Sequence, residues 1–222
     1  MTRCLRGRAR KPSFVPGRDE LDALLDNVRA CRVCVDHPRG AALPHEPRPI
    51  VRGRVTARIA VCGQAPGIRV HRSGLPFDDP SGDRLRGWMG VTRADFYDED
   101  RVAVVPMGFC FPGYDRSGGD LPPRPECAPL WRNRVLAEFS NLSLMLVIGS
   151  YAMAWHLPMP ARQSMTQTVR GWYEISGRSG DGPSLLPLPH PSWRNSGWLK
   201  ANPWFDAEVV PALRVRVATL LR

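Results

Sequence analysis

The chain has 222 residues and carries 31 Lys and Arg against 21 Asp and Glu, a formal net charge of +10. Its 43% hydrophobic content excludes wholesale disorder, and the length suits one domain with at most a small appendage. No stretch approaches the ~18–20 apolar residues of a membrane span, and the arginine-rich start lacks an apolar signal core, so a cytoplasmic location is expected.

Only Lys11 and Lys200 are lysines; every other basic residue is arginine, the better fork for phosphate oxygens. The excess charge points to a polyanionic partner, nucleic acid first. Residues 1–18 read as a mobile basic arm ahead of one domain spanning 19–222. Leu21, Leu24, Leu25 and Val28 then recur at helical spacing within 19–30. Cys31 and Cys34 follow as a C-x2-C pair, and residues 35–54, rich in Pro, Arg and His, read as an irregular loop.

From residue 57 the chain alternates. Residues 57–63, 101–109 and 142–149 are apolar runs with the character of buried strands, and 169–175 and 184–189 read as two more. Helical patterns cover 82–90, 125–139 and 150–157. At the end, Asn202 reads as a cap and Pro203 as a first helical residue, before an apolar face of Leu213, Val217, Leu220 and Leu221; Pro211 kinks or splits that helix. Such alternation predicts an α/β sandwich around a largely parallel sheet, with ligands at the carboxyl ends of the strands.

Three loops at apparent strand ends carry the chemistry. Gly63-Gln64-Ala65-Pro66-Gly67 is a tight turn able to aim backbone N–H groups at a ligand, without the Lys-Ser/Thr ending of a nucleotide-hydrolysing loop. Phe77, between prolines, either stacks on a flat base or packs in the core. Asp78 and Asp79 stand near a helix start where carboxylates are stabilised as anions, with Ser81 a candidate cap. His190 leaves a strand into Pro191-Ser192-Trp193-Arg194-Asn195, where one imidazole, one cation and aromatic bulk lie together. Cys110 and Cys127 flank a Gly- and Pro-rich loop; with Cys31 and Cys34 they form either a cluster or zinc site or a set of buried thiols. Cys62 reads as core, and Cys4 as a bystander in the arm.

Taken in order, Cys31-x2-Cys34, GQAPG at 63–67, GLPFDDPSGDRL at 74–85, Cys110 with Cys127, HPSWRN at 190–195 and NPWF at 202–205 resemble the uracil-DNA glycosylase superfamily, in its iron–sulfur-bearing bacterial branches. The resemblance runs from about Leu21 to the C-terminus. It implies a three-layer α/β/α sandwich around a four-stranded sheet, and hydrolysis of the N-glycosidic bond of uracil or a related deaminated base in DNA. It further implies a [4Fe-4S] cluster on Cys31, Cys34, Cys110 and Cys127. His190 would face the O2 of the base, and Gln64 would hold water. Gly63, Ala65, Phe77 and Met107 would line the base pocket, with Ser192, Trp193, Arg194, Asn195, Arg72 and Lys200 on DNA. A monomer is expected.

Two departures stand out. Many relatives have glutamate where this chain has Gln64, which leaves Asp79, Asp78 or His71 to position the water. Relatives that select uracil often have asparagine where this chain has Pro106. An alternative therefore stands beside the enzyme: a non-catalytic member of the same fold that binds damaged DNA.

Overall fold

The computed structural model describes residues 18–157, 163–177, 180 and 182–222. The basic arm, with Cys4, lies outside the described residues apart from Arg18. Four apolar runs form β1 (Ile59–Cys62), β2 (Val102–Val104), β3 (Leu144–Ile148) and β4 (Ser184–Leu188). Their order is β2-β1-β3-β4 and every pairing is parallel, so all four carboxyl ends lie along one edge. β1, β2 and β3 are buried at every residue, the mark of a parallel sheet covered on both faces. Pro187 is tolerated within β4 because that strand lies at the sheet's edge and has one partner only. Among the described residues no helix is long and apolar enough to cross a membrane.

The helix Arg18–Arg29 buries Leu21, Leu24, Leu25 and Val28, the stripe its spacing predicts. Pro80–Met89 and Gly149–His156 also form where helices were expected. The 125–139 pattern resolves into a wide π-type turn, Ala128–Arg132, with Pro129 in its first turn, followed by Asn133–Ala137.

The run 169–175 is helical, not a strand. Ser164 and Gln167 form a capping box that starts Met165–Arg170, and Gly171 separates this from Trp172–Gly177. Apolar residues in so short a run fit either period, and the capping signal upstream decides it. Asn202 does not cap the final helix. Its side chain donates to the Trp198 carbonyl (2.8 Å) and accepts from the Trp204 indole (3.1 Å). The chain continues through a π-type segment, Phe205–Val209, into Val210–Leu221, and Pro211 sits in the first turn where the winding changes.

Candidate active site

A cleft of about 420 Å³ opens at the carboxyl edge of the sheet. One wall is the loop after β1, residues 63–67. The Met107 N–H donates to the Gly63 carbonyl (2.8 Å) and the Gly108 N–H to the Gln64 carbonyl (2.9 Å), so the segment after β2 fixes this loop through its backbone. Gly63, Gln64 and Ala65 line the cleft as expected, and Pro106 lines it beside them. Met107 does not reach it: its side chain is buried in the core. The β2 segment alternates, so the residue next to a cleft-facing Pro106 turns inward.

The opposite wall carries Phe77. Phe77 has φ +56°, and among the described residues no other non-glycine residue has positive φ. Such a conformation persists only where neighbours over-determine it. Here Arg86 Nη1 donates to the Phe77 carbonyl (3.2 Å), Tyr97 Oη donates to the Pro76 carbonyl (2.9 Å), and Phe96 meets the ring edge-on at 6.0 Å. Glycine is required at one contact and eases a second. A Cβ at Gly82 would stand 1.8 Å from the Phe77 carbonyl oxygen, and one at Gly63 would stand 3.3 Å from the ring. Strain and close approach together present the aromatic face to the cleft.

His190 enters from the end of β4. Its Nδ1 accepts the Ser192 backbone N–H (3.2 Å), and Asn195 Nδ2 donates to its carbonyl (2.7 Å). A ring nitrogen that accepts carries no proton, so the neutral imidazole keeps its proton on Nε2. Burial pushes the His190 pKa down, against an opposing pull from Asp79, which favours that neutral form. Asn195 thus acts through His190. Beyond it, Trp193 lines the cleft mouth and is 77% exposed, with the Arg194 guanidinium 5.8 Å above its ring. Ser192 lines the cleft, and Lys200 is exposed on the following helix, Ser196–Ala201.

The two neighbouring carboxylates diverge. Asp79, not Ser81, caps Pro80–Met89: its Oδ1 accepts the Gly82 N–H (3.0 Å) and the Ser81 hydroxyl, and the residue lines the cleft. Asp78 turns to Arg93 (2.8 Å) and does not line it. His71 also points elsewhere. Its ring packs against His45 and Phe111, and burial lowers its pKa, helped by His45, Arg48 and Arg72. Arg69 lines the cleft, whereas Arg72 is exposed away from it.

Sequence reasoning missed two residues here. Arg84 lines the cleft and ties its floor to the His190 loop, donating to the carbonyls of Pro191 (3.2 Å) and Ser192 (2.9 Å) and to Ser196 Oγ (3.3 Å). Asp120, on the loop between Cys110 and Cys127, lines the cleft from the far side. Arg84 lies within the 74–85 motif, but nothing in that motif singles it out, and Asp120 lies on a Pro-rich strap.

On another part of the molecule Cys31, Cys34, Cys110 and Cys127 line one small pocket, all as free thiols. Trp131 Nε1–H donates to Cys31 Sγ (3.2 Å) and the Phe109 N–H to Cys127 Sγ (3.3 Å). Burial pushes Cys110 and Cys127 up to about 12. Among the described residues no group of three or more His, Cys, Asp or Glu side chains is arranged to hold a metal ion. Cys62 is wholly buried in the core.

A parallel sheet of order β2-β1-β3-β4 with its cleft at the carboxyl edge, lined by a histidine and an aromatic ring, agrees with what family comparison finds. Residues 50–214 match the model of the uracil DNA glycosylase superfamily. That match covers the whole sheet and every cleft residue named above, and the chain belongs to the uracil DNA glycosylase superfamily.

Proposed function

We propose that this chain is a DNA glycosylase that hydrolyses the N-glycosidic bond of uracil or a related deaminated base, leaving an abasic site. The observation that carries the reading is His190, which lines the cleft with Phe77: its Nδ1 is occupied by the Ser192 N–H and its Nε2 has no hydrogen-bond partner among the described residues. A base inside a duplex is out of reach and must be extruded, at a cost of a few kcal/mol. Trp193, exposed at the mouth, fills the gap the base leaves, while Arg194, Lys200 and Arg72 contact phosphates. The extruded base stacks on Phe77.

Rupture of the glycosidic bond sends its electron pair into the base, and in uracil charge builds on O2. The Nε2–H of His190 stabilises that charge as it develops. Asp79 supplies negative charge beside the sugar as it takes on oxocarbenium character, and Gln64 holds water without acting as its base. With Pro106 where a side-chain amide would select uracil, recognition falls to backbone groups, which favours a range of deaminated bases.

The four cysteines fit a [4Fe-4S] cluster in donor chemistry: four thiols share one pocket, and two N–H groups aim at sulfur. Cys31, Cys34, Cys110 and Cys127 would hold it. When bound, the cluster would cross-link the N-terminal helix to the loop between Cys110 and Cys127, a structural task.

The test is alkaline strand cleavage after incubation with uracil-, hypoxanthine- and xanthine-containing oligonucleotides. Base release from at least one supports the enzyme. Tight binding with no release from any supports the non-catalytic reading.

A further inference from the structure

We propose that Asp120 is a further catalytic residue, the base that takes a proton from the water attacking C1′ as the deaminated base departs. The inference rests on the glycosylase reading above. It answers a gap in that reading: Gln64 can hold a water but cannot accept its proton.

Asp120 stands where such a base is needed. It lines the cleft, and its Oδ2 would lie 3.5 Å from a Cβ on Gly67, so the carboxylate reaches across to the loop that carries Gln64. The strap beneath it is ordered by its own bonds. Asp115 Oδ1 accepts from the backbone N–H groups of Ser117 and Gly119 (both 2.8 Å), and the Leu121 N–H donates to the Gly113 carbonyl (2.9 Å). Tyr114 and Asp120 pair as an antiparallel bridge. The position is therefore held by the backbone, and the side chain is not needed to hold it.

The other nearby carboxylates are engaged. Asp79 caps a helix, Asp78 pairs with Arg93, Asp83 pairs with Arg86, and Asp115 closes the strap. Asp120 has no hydrogen-bond or ion-pair partner among the described residues. The charges that face it are Arg194 from the His190 loop, Asp115 from the strap and Asp79 from the opposite wall. Burial raises its pKa; Arg194 opposes this, and Asp115 and Asp79 add to it. A carboxylate raised in this way is a stronger base than a free one.

The step balances. The bond from C1′ to the base nitrogen (N1 in uracil, N9 in a purine) breaks and its pair goes to the base, which leaves as an anion held by His190. Water oxygen bonds to C1′, and one water proton passes to Asp120. The anionic base takes up a proton on release, and Asp120 returns its own to solvent.

The experiment is single-turnover base release by Asp120→Asn and the parent across the acid range, with and without azide, a nucleophile that has no proton to lose. Affinity for a duplex containing a tetrahydrofuran abasic analogue is measured alongside. Asp120→Asn is expected to slow release about 100-fold at unchanged affinity, and azide to restore it. Two groups shape the parent's acid limb: His190 must stay neutral and Asp120 ionised. The variant should lose one of the two steps. Parental rates in Asp120→Asn, or slow release that azide does not restore, overturn the inference and leave the glycosylase reading standing. A parent inactive on all three deaminated bases removes both.

Discussion

The cleft and the cysteine pocket are built from opposite materials. The cleft is roomy and mixes polar with apolar side chains, and its polar groups are half-used. His190 spends Nδ1 on Ser192 and keeps Nε2 free, and Asp79 spends one oxygen on a helix cap. The cysteine pocket is small, and its four thiols stand among apolar side chains with Arg124 and Glu126 beside them. A site that turns over must leave valences open to a passing ligand. A site that braces the fold closes round what it holds. The two meet on one loop: residues 111–126 begin after Cys110, carry Asp120 past the cleft and end at Cys127.

Substitutions can separate the two regions. The largest effect is expected from His190→Ala. It removes the donor to developing charge and should slow base release about 1,000-fold, with DNA affinity changed only a few-fold, read by single-turnover rates and titration. Gly82→Ala should come next, on folding. Its Cβ would collide with the Phe77 carbonyl, which is backbone and cannot swing aside, and chemical denaturation should report a loss of at least ~3 kcal/mol.

Cys110→Ser tests the other region. It should abolish the absorbance near ~400 nm that a cluster would give and lower the thermal midpoint by about 10 °C, while folded molecules keep their base-release rate. Loss of that rate in fully folded Cys110→Ser would erase the division between the two regions. Arg84→Ala should have the smallest effect. It frees the His190 loop from the Pro80–Met89 helix and should weaken DNA binding about 10-fold, more than it slows release.

Much of this architecture is legible in the sequence, for physical reasons. Parallel strands covered on both faces are unbroken apolar runs, so 57–63, 101–109, 142–149 and 184–189 stand out. Residues 169–175 do not obey that rule, because a capping box five residues upstream outweighs their composition. His190, Phe77 and Gln64 are legible because each follows a strand or lies between prolines that fix its loop. The choice between Asp78 and Asp79 is not, since it depends on where Arg93 lies after folding. Met107 is not placed by its composition, since alternation turns it inward and leaves Pro106 facing the cleft. Arg84, though inside the 74–85 motif, and Asp120 are not singled out locally. One sits on an ordinary amphipathic helix and the other on a Pro-rich strap, and only the tertiary path brings them to the cleft.

The central claim is that the cleft breaks a glycosidic bond. The most direct test is mass-spectrometric detection of free base from a uracil-containing duplex incubated with the parent protein in excess. The account predicts one uracil released per lesion, with an intact abasic strand left behind and none released by His190→Ala on the same timescale. Uracil retained quantitatively in DNA that the protein nonetheless binds would contradict it.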